Sequence, residues 1–372
     1  MANHGRDVVI IGGGIVGLAT AYFLGKAGIK SVVVERDTVG SHASGFAYGA
    51  LSPLSGAGVP GPVFPLSKEG MRLHRELSHS LPEETGINIE YRNRPSLSLS
   101  FTDGDVQEAK AGLSWAQQQD GYNVRWLEPA EAMSIEPRIS DRTLGAVHVE
   151  GTIDLEPHRL ALALAQAAEK LGATIQHGRV TGLRRKGERV VGVSLEHGEI
   201  PCDDVVLAMG PWSCEASSWL GVPIEVRPLK GQILRLWAPG APFKCSIGWQ
   251  GNYATTKPDG LLWAGSTEEE AGFDETPTSQ GRDSVMATLL KMFPSLADAQ
   301  LVKHTACLRP LSTDRLPVLG AAPGWEGVYL ATGAGRQGIL LGPAMGRVTA
   351  DLVTGGASDI PIDAFNPGRF AA

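Results

Sequence analysis

Cysteine is scarce in this chain of 372 residues, and its few positions suggest no shared chemistry. The four cysteines form no CxxC pair and no spacing typical of metal ligands. We therefore predict neither a disulfide framework nor a metal site. We interpret these residues as reduced thiols of a reducing compartment, which favours a cytoplasmic location. They are Cys202, Cys214, Cys245 and Cys307.

An excess of basic charge is also missing. Lys and Arg total 33 against 40 Asp and Glu, which gives a net charge of −7. A nucleic-acid partner needs a basic face. The longest basic cluster, Arg184–Lys186, is short and typical of a solvated turn, so no nucleic-acid partner is expected.

Long apolar runs are absent as well. No uninterrupted apolar stretch reaches the roughly 18 residues that indicate a membrane-spanning helix, and we predict none. The apolar segment near the N-terminus has no basic region before it and is interrupted by glycines. We therefore do not interpret it as a signal peptide.

Glycine, in contrast, is abundant, with 47 residues, and hydrophobic residues make up 42% of the chain. This composition is typical of a folded protein with a large core and many tight turns. The length suits either two domains or one large α/β body.

The first glycine-rich segment is "VVIIGGGIVGLA", residues 8–19. A short apolar run predicts a buried parallel strand, and Gly12, Gly14 and Gly17 then match G-x-G-x-x-G at the start of a predicted helix. A second predicted strand ends in Glu35, whose carboxylate can accept hydrogen bonds from a ribose. Together these features predict a βαβ unit that binds a dinucleotide pyrophosphate at the helix N-terminus. The alternative is a tight turn without a ligand.

The motif alone does not distinguish NAD, NADP and FAD. Arg36 can indicate NADP, but Glu35 beside it would repel a 2′-phosphate. A second match to G-x-G-x-x-G follows at Gly333, Gly335 and Gly338. A second NAD site there is disfavoured, because the next acid lies inside the following helix rather than at a strand end. A helix N-terminus facing a shared cavity suits the negative charge of a reduced flavin ring.

The order of predicted elements indicates interleaved domains. Nucleotide-binding patterns occupy both ends of the chain, and an alternating region at 224–274 predicts an antiparallel sheet between them. We assign residues 1–80, 140–222 and 302–372 to a Rossmann-like domain, and 81–139 and 223–301 to a substrate domain. In the last segment, 327–356, a strand, a glycine turn and a helix are predicted, with Pro343 suited to the first helical position.

Several segments together resemble one family. They are "IIGGGIVGLATAYFLGKAGIKSVVVER", "SHASGFAYGAL", "WLEPAEAMSIEP", "VVLAMGPWS", "LRPLSTDRLPVLG", "VYLATGAGRQGILLGPAMG" and "IDAFNPGRF". In this order they resemble the FAD-dependent amino-acid and amine oxidoreductases of the D-amino-acid oxidase type, and most of all glycine oxidase. The resemblance covers nearly the whole chain. It implies a resident FAD in a Rossmann-like α/β domain, with an interleaved α+β substrate domain that carries a mixed, largely antiparallel sheet.

The resemblance also implies roles for particular residues. Arg309 would bind the substrate carboxylate with Tyr253 beside it, Val180 would touch the adenine, and Arg336 would reach toward the flavin. The implied FAD-binding residues are Gly12, Gly14, Ile15, Val16, Gly17, Glu35, Arg36, Ser44, Gly49, Ala50, Leu51, Val180, Ala208, Gly210, Trp212, Gly333, Arg336, Gln337, Gly338, Ile339 and Leu340.

Physical chemistry supports two of these roles independently. A planar guanidinium binds a carboxylate through two hydrogen bonds, and Arg309 has apolar neighbours in sequence, where a paired arginine is expected. The alternative is a structural salt bridge. Tyr253 lies opposite "LLWAGS" on a predicted hairpin, where ordinary sheet packing is its alternative.

The chain departs from its relatives at three positions. Ala334 stands where many relatives have a histidine, and Trp263 stands where sarcosine oxidases have a lysine near the flavin. Cys307 stands where glycine oxidase has glycine and where sarcosine oxidases have a cysteine bonded to the flavin. We predict a non-covalent FAD, with a covalent link through Cys307 as the alternative.

The predicted reaction is oxidation of a small amino acid by hydride transfer from its α-carbon to the flavin. Glycine, a D-amino acid and an N-substituted amino acid all suit this prediction, with oxygen or a quinone as electron acceptor. A dehydrogenase on the same substrates is one alternative, and a flavin monooxygenase or reductase that uses NAD(P)H is another. A non-catalytic nucleotide-binding protein is the third. The oligomeric state, including a homo-oligomer, stays open.

Overall fold

The computed structural model describes residues 7–370. Its helices are α1 (Ile15–Lys26), α2 (Ala43–Phe46), α3 (Val63–Thr85), α4 (Asp103–Gln117), α5 (Pro129–Ile135), α6 (Pro157–Lys170), α7 (Ala216–Leu220), α8 (Ser279–Met292) and α9 (Gly338–Val353). Its strands are β1 (Val8–Ile11), β2 (Ser31–Glu35), β3 (Ala50–Leu51), β4 (Arg92–Asn93), β5 (Ser96–Ser100), β6 (Asn123–Leu127), β7 (Gly145–Glu150), β8 (Ile153–Asp154), β9 (Thr174–His177), β10 (Val180–Lys186), β11 (Arg189–Leu195), β12 (Glu199–Pro201), β13 (Asp204–Leu207), β14 (Val226–Trp237), β15 (Ser246–Trp249), β16 (Asn252–Thr256), β17 (Leu262–Gly265), β18 (Gln300–Ser312), β19 (Val318–Ala321) and β20 (Val328–Thr332).

A six-stranded sheet forms the nucleotide-binding half, in the order β19-β20-β13-β1-β2-β9. All of its pairings are parallel except that between β19 and β20. Successive side chains of β1 point to opposite faces. Val8 and Ile10 pack under α1, α3, α6 and α9, whereas Val9 and Ile11 pack under the small sheet β10-β11-β12. Both faces are therefore covered, as a buried parallel sheet requires.

An eight-stranded sheet forms the other half, in the order β18-β14-β17-β16-β15-β5-β7-β6. Only β15 and β5 pair in parallel, so the sheet is mixed and largely antiparallel. Its core contains apolar residues of these strands and of α8. The predicted fold class is confirmed, including the antiparallel strands expected at 224–274.

Within the eight-stranded sheet, strand pairing differs from the predicted domain segments in two places. β7 lies within 140–222 and most of β18 lies within 302–372, yet both belong to the eight-stranded sheet. Local pattern misses this because partners such as β14 are far away in sequence. The division into domains stays a prediction, and its residues 1–6 and 371–372 lie outside the described residues.

The expectation for Pro343 is wrong. α9 begins at Gly338, which places Pro343 inside the helix. Proline lacks the N–H that would bond the carbonyl four residues earlier, which belongs to Ile339. His74 of α3 donates its Nε2–H to that carbonyl at 2.8 Å. The helix therefore tolerates its proline because a buried side chain replaces the missing donor.

Candidate active site

One large cavity, of about 840 Å³, lies where the two halves of the protein meet. The first glycine turn, the loop after β2 and the start of α9 line it from the nucleotide-binding half. Residues of β14, β16 and β18 line it from the other half. Both glycine-rich motifs therefore face the same cavity.

The first glycine turn has the geometry that the motif requires. Gly12 has a φ of +113°, and a Cβ there would stand 2.3 Å from the carbonyl oxygen of Ala208. A Cβ at Gly17 would stand 2.0 Å from the carbonyl oxygen of Gly12, so only glycine lets helix and strand pack this closely. At Gly14 the only atom within 4 Å of a Cβ would be the Ser44 hydroxyl. The backbone at Gly14 is thus open to a ligand.

Glu35 and Ser44 brace this turn through hydrogen bonds to its backbone. One carboxylate oxygen of Glu35 accepts from the Gly13 N–H at 2.6 Å, and the other accepts from the Asp37 N–H at 2.8 Å. The Ser44 hydroxyl accepts from the Ile15 N–H at 3.0 Å. Each carboxylate oxygen keeps a lone pair, so Glu35 can still accept from a ribose.

The second glycine turn brings the N-terminus of α9 to the cavity. Gly333 and Gly335 have positive φ values of +78° and +52°, and a short 3₁₀ turn, Gly335–Gln337, leads into the helix. Residues 331–340 line the cavity. Unpaired N–H groups at a helix start stabilise negative charge.

Most residues that the resemblance implies line this cavity. Of the predicted site residues, only Gly17 and Leu51 do not. Gly17 packs against the backbone of its own turn, and Leu51 is fully buried in the core beneath the six-stranded sheet. The cavity-lining residues are Gly12, Gly14, Ile15, Val16, Glu35, Arg36, Ser44, Gly49, Ala50, Val180, Ala208, Gly210, Trp212, Tyr253, Arg309, Gly333, Arg336, Gln337, Gly338, Ile339 and Leu340.

Arg309, on β18, carries a half-buried cation in the cavity wall. Its Nη2 donates to the Ser266 hydroxyl at 2.6 Å, and its Nη1 donates to the Thr267 carbonyl at 3.2 Å. Burial lowers the pKa of the guanidinium, but arginine stays charged in proteins. No carboxylate within residues 7–370 forms an ion pair with it, so the structural salt bridge considered above is absent. A half-buried charge without a carboxylate partner among these residues suits an anionic ligand.

Gly231 makes room for this guanidinium. It lies on β14 opposite Cys307, and a Cβ there would stand 2.1 Å from the Nη2 of Arg309 and 2.4 Å from its Cζ. The arginine therefore lies directly over the backbone of the neighbouring strand.

Tyr253 lies on the predicted hairpin, opposite Gly265. Its hydroxyl is buried and has no hydrogen-bond partner among the described residues, and burial raises its pKa. Its ring stacks on Tyr48, with centroids 4.0 Å apart and planes at 12°. The unpartnered hydroxyl is available to a ligand, so sheet packing does not use all of this side chain.

Sequence reasoning missed Tyr48, Ser266 and Glu268, all of which line the cavity. Tyr48 donates its hydroxyl hydrogen to Ser246, and burial raises its pKa to about 12. Tyr48 and Ser266 stand in segments quoted above, "SHASGFAYGAL" and "LLWAGS", but no motif there points to these two side chains. Their contacts join residues far apart in sequence, so only the position of Tyr48 beside the predicted site residue Gly49 could have indicated it.

Cys307 lies two residues before Arg309, on the same side of β18, and also lines the cavity. Burial raises the pKa of its thiol. A neutral thiol is a poor nucleophile, which argues against a covalent bond to a cofactor. All four cysteines are free.

The described residues contain no cluster of three or more His, Cys, Asp or Glu side chains suited to a metal ion. Within residues 7–370, no helix has both the length and the apolar character needed to cross a membrane.

The fold and cavity define a dinucleotide-binding protein whose two sheets enclose a cationic ligand site. The chain belongs to the FAD dependent oxidoreductase family, whose model matches residues 7–352. It is 34% identical to a glycine oxidase of Pseudomonas aeruginosa, over 94% of each chain.

Solved structures agree with this assignment. The glycine oxidase of Geobacillus kaustophilus superimposes with a TM-score of 0.93 at 28% identity, covering 99% of each chain. The iminodiacetate oxidase of Chelativorans sp. BNC1 gives 0.89 at 26% identity, covering 97% of this chain and 98% of the other. The protein is thus an FAD-dependent oxidoreductase of glycine oxidase type, acting on amino-acid CH–NH2 or CH–NH donors.

Proposed function

We propose that this enzyme oxidises a small amino acid at its α-carbon and that Arg309 and Tyr253 bind the substrate carboxylate. The observation that carries this proposal is a half-buried guanidinium without a carboxylate partner in residues 7–370, beside a phenol whose hydroxyl has no hydrogen-bond partner there. Both line the cavity that also contains the two glycine turns. An amino acid supplies an anion for the first group and a hydrogen-bond acceptor for the second.

The residues present fit an FAD, since the open backbone at Gly14 and the N-terminus of α1 suit its pyrophosphate. When bound, FAD supplies the acceptor for the hydride that leaves the α-carbon. The start of α9 would then lie beside the ring, where its N–H groups stabilise negative charge. We propose that the FAD is held without a covalent bond.

The protein's own residues orient the substrate. Arg309 is held at two nitrogens by Ser266 and Thr267, so a carboxylate meets a fixed guanidinium. The stacked rings of Tyr48 and Tyr253 form a rigid aromatic wall. The substrate amine binds neutral or loses its proton on binding. The imine that leaves the site hydrolyses in water to an oxo acid and an amine or ammonia.

The decisive experiment adds amino acids to the holoenzyme under argon without NAD(P)H. Loss of the flavin absorbance supports the proposal, and a need for NAD(P)H contradicts it. We propose oxygen as the acceptor, because the relatives above are oxidases by name. Peroxide formation in air supports this, whereas turnover only with an artificial dye would indicate a dehydrogenase.

Substitution of Arg309 tests the carboxylate site. Arg309→Leu should weaken the free energy of substrate binding by about 2–5 kcal/mol. This loss corresponds to a rise in KM of at least about 30-fold. Arg227→Leu is the matched control, since Arg227 lies on the same sheet but pairs with Glu270 at the exposed surface. An unchanged kcat/KM in Arg309→Leu would show that another group binds the carboxylate.

A further inference from the structure

The cavity wall contains an ion pair to which the proposed function gives no role. The Nη1 of Arg336 lies 2.7 Å from the Oε1 of Glu268, and both residues line the cavity. The Nη2 of Arg336 donates to the carbonyl of Gly251. Both terminal nitrogens of Arg336 are therefore engaged, whereas Arg309 has no carboxylate partner within the described residues.

Three separate segments meet at this ion pair. Arg336 stands in the 3₁₀ turn before α9, Glu268 follows β17, and Gly251 lies in the turn between β15 and β16. Glu268 comes directly after Thr267, whose carbonyl holds Arg309. A substrate anchored at Arg309 therefore sits beside a wall that carries the Glu268 carboxylate.

Glu268 is ionised at neutral pH. Burial acts to raise its pKa, but the hydrogen bond from Arg336 and the positive charges of Arg336, Arg309 and Arg315 hold that pKa below its ordinary value. Arg315 also lines the cavity. The Glu268 carboxylate is thus influenced by the charges of three arginines and forms an ion pair with one of them, Arg336.

We propose that Glu268 determines substrate specificity by occupying Arg336, so that the site accepts amino acids with one carboxylate and disfavours those with two. This inference rests on the proposed function. Arg309 takes the α-carboxylate. A second carboxylate, on the side chain or on the amine, would find Arg336 engaged and would meet the negative charge of Glu268. The expected substrates are monocarboxylic, with a neutral side chain or N-substituent.

Two matched pairs of compounds test the proposal. Sarcosine and iminodiacetate differ in a carboxylate on the N-substituent, and D-alanine and D-aspartate differ in a carboxylate on the side chain. Glu268→Gln keeps the shape of the side chain, removes its charge and frees Arg336. In Glu268→Gln, we expect the ratio of kcat/KM for the dicarboxylic compound over its monocarboxylic partner to rise about tenfold. The reason is that the substitution removes a like charge from a half-exposed site.

Glu270→Gln is the control, because Glu270 lies two residues further on and pairs with Arg227 outside the cavity. Its ratio should match that of the wild type. In an Arg336→Gln background, Glu268→Gln should raise the ratio less, because the freed guanidinium is missing. The proposal is overturned if Glu268→Gln raises kcat/KM equally for both members of each pair. It is also overturned if the ratio of the two kcat/KM values does not rise in Glu268→Gln.

A binding measurement separates this inference from the proposed function. Acetate and malonate do not react, and their dissociation constants can be measured from the absorbance change of the bound flavin. Malonate binding should tighten relative to acetate in Glu268→Gln, even if no tested amino acid is oxidised. Failure of every amino acid to reduce the flavin would overturn the proposed function alone. An unchanged malonate-to-acetate ratio would overturn the role of Glu268 alone.

Discussion

Replacing Gly231 by alanine should impair substrate binding without unfolding the protein. The added Cβ would stand 2.1 Å from the Nη2 and 2.4 Å from the Nη1 of Arg309. Ordinary contacts of a Cβ begin at 3.4 Å. Because the Nη2 would stand at 2.1 Å, the guanidinium must move away by the difference, about 1.3 Å. A shift of this size breaks the hydrogen bonds to Ser266 and Thr267, which measure 2.6 and 3.2 Å.

The magnitude follows from these lost contacts. A displacement of about 1 Å in a positioning group costs roughly 100-fold in rate, and a hydrogen bond to a charged group contributes about 1.5–3 kcal/mol. We expect kcat/KM for glycine or sarcosine to fall about 10- to 100-fold, mainly through KM. The FAD content should not change, because Gly231 does not itself line the cavity and the nearest atoms to the added Cβ belong to the Arg309 guanidinium.

Steady-state kinetics, flavin absorbance and thermal melting together test this prediction. Gly182→Ala is the matched control, since Gly182 also lies on a strand but has no atom within 4 Å of a Cβ. Wild-type kinetics in Gly231→Ala would refute the reasoning. So would an equal loss in Gly182→Ala, because a general effect of glycine replacement would then explain both.

Three further predictions concern the cofactor and stability. Gly14→Glu should abolish FAD retention, because its side chain and charge would meet the pyrophosphate; a yellow purified variant would contradict this. Acid precipitation should release the flavin to the supernatant, since burial keeps Cys307 a thiol, whereas flavin in the pellet that Cys307→Ser frees would establish a covalent link. Burial lowers the pKa of His74 to about 4, below the ordinary value of about 6.5, so the unfolded chain binds the proton first as pH falls. The free energy of unfolding should therefore fall by about 3 kcal/mol between pH 6.5 and 4, and urea titrations of His74→Gln should show a shallower loss; an unchanged slope would exclude His74 as the cause.

Local sequence pattern predicts the parts of the fold that depend on neighbours in the chain. The close backbone contacts of Gly12 and Gly17 follow from their motif alone, and the first βαβ unit forms as expected. The antiparallel strands between 224 and 274 also follow from alternation. The fold class and the cofactor are thus predictable from short segments and their order.

The remainder depends on contacts between distant residues. Nothing in the sequence near Pro343 indicates that this proline lies inside a helix. Nor does the sequence there indicate that His74 donates a hydrogen bond to the carbonyl of Ile339, which the proline leaves without a donor. Nothing near Arg309 indicates that Ser266 would hold it or that Gly231 would make room. Side-chain partners of this kind are set by tertiary packing, which one sequence does not reveal.

The strand order of the six-stranded sheet has a consequence for synthesis on the ribosome. β1 emerges first, but its neighbour β13 begins at Asp204, and β20, which pairs with β13, begins at Val328. Pairing across such long separations is slow, because the intervening chain must be closed into a loop first. The nascent chain therefore exposes an apolar half-sheet until β13 and β20 have been made. Because both glycine turns line the cavity in which we propose that FAD binds, we expect FAD binding only after the second turn, Gly333–Gly338, has been made.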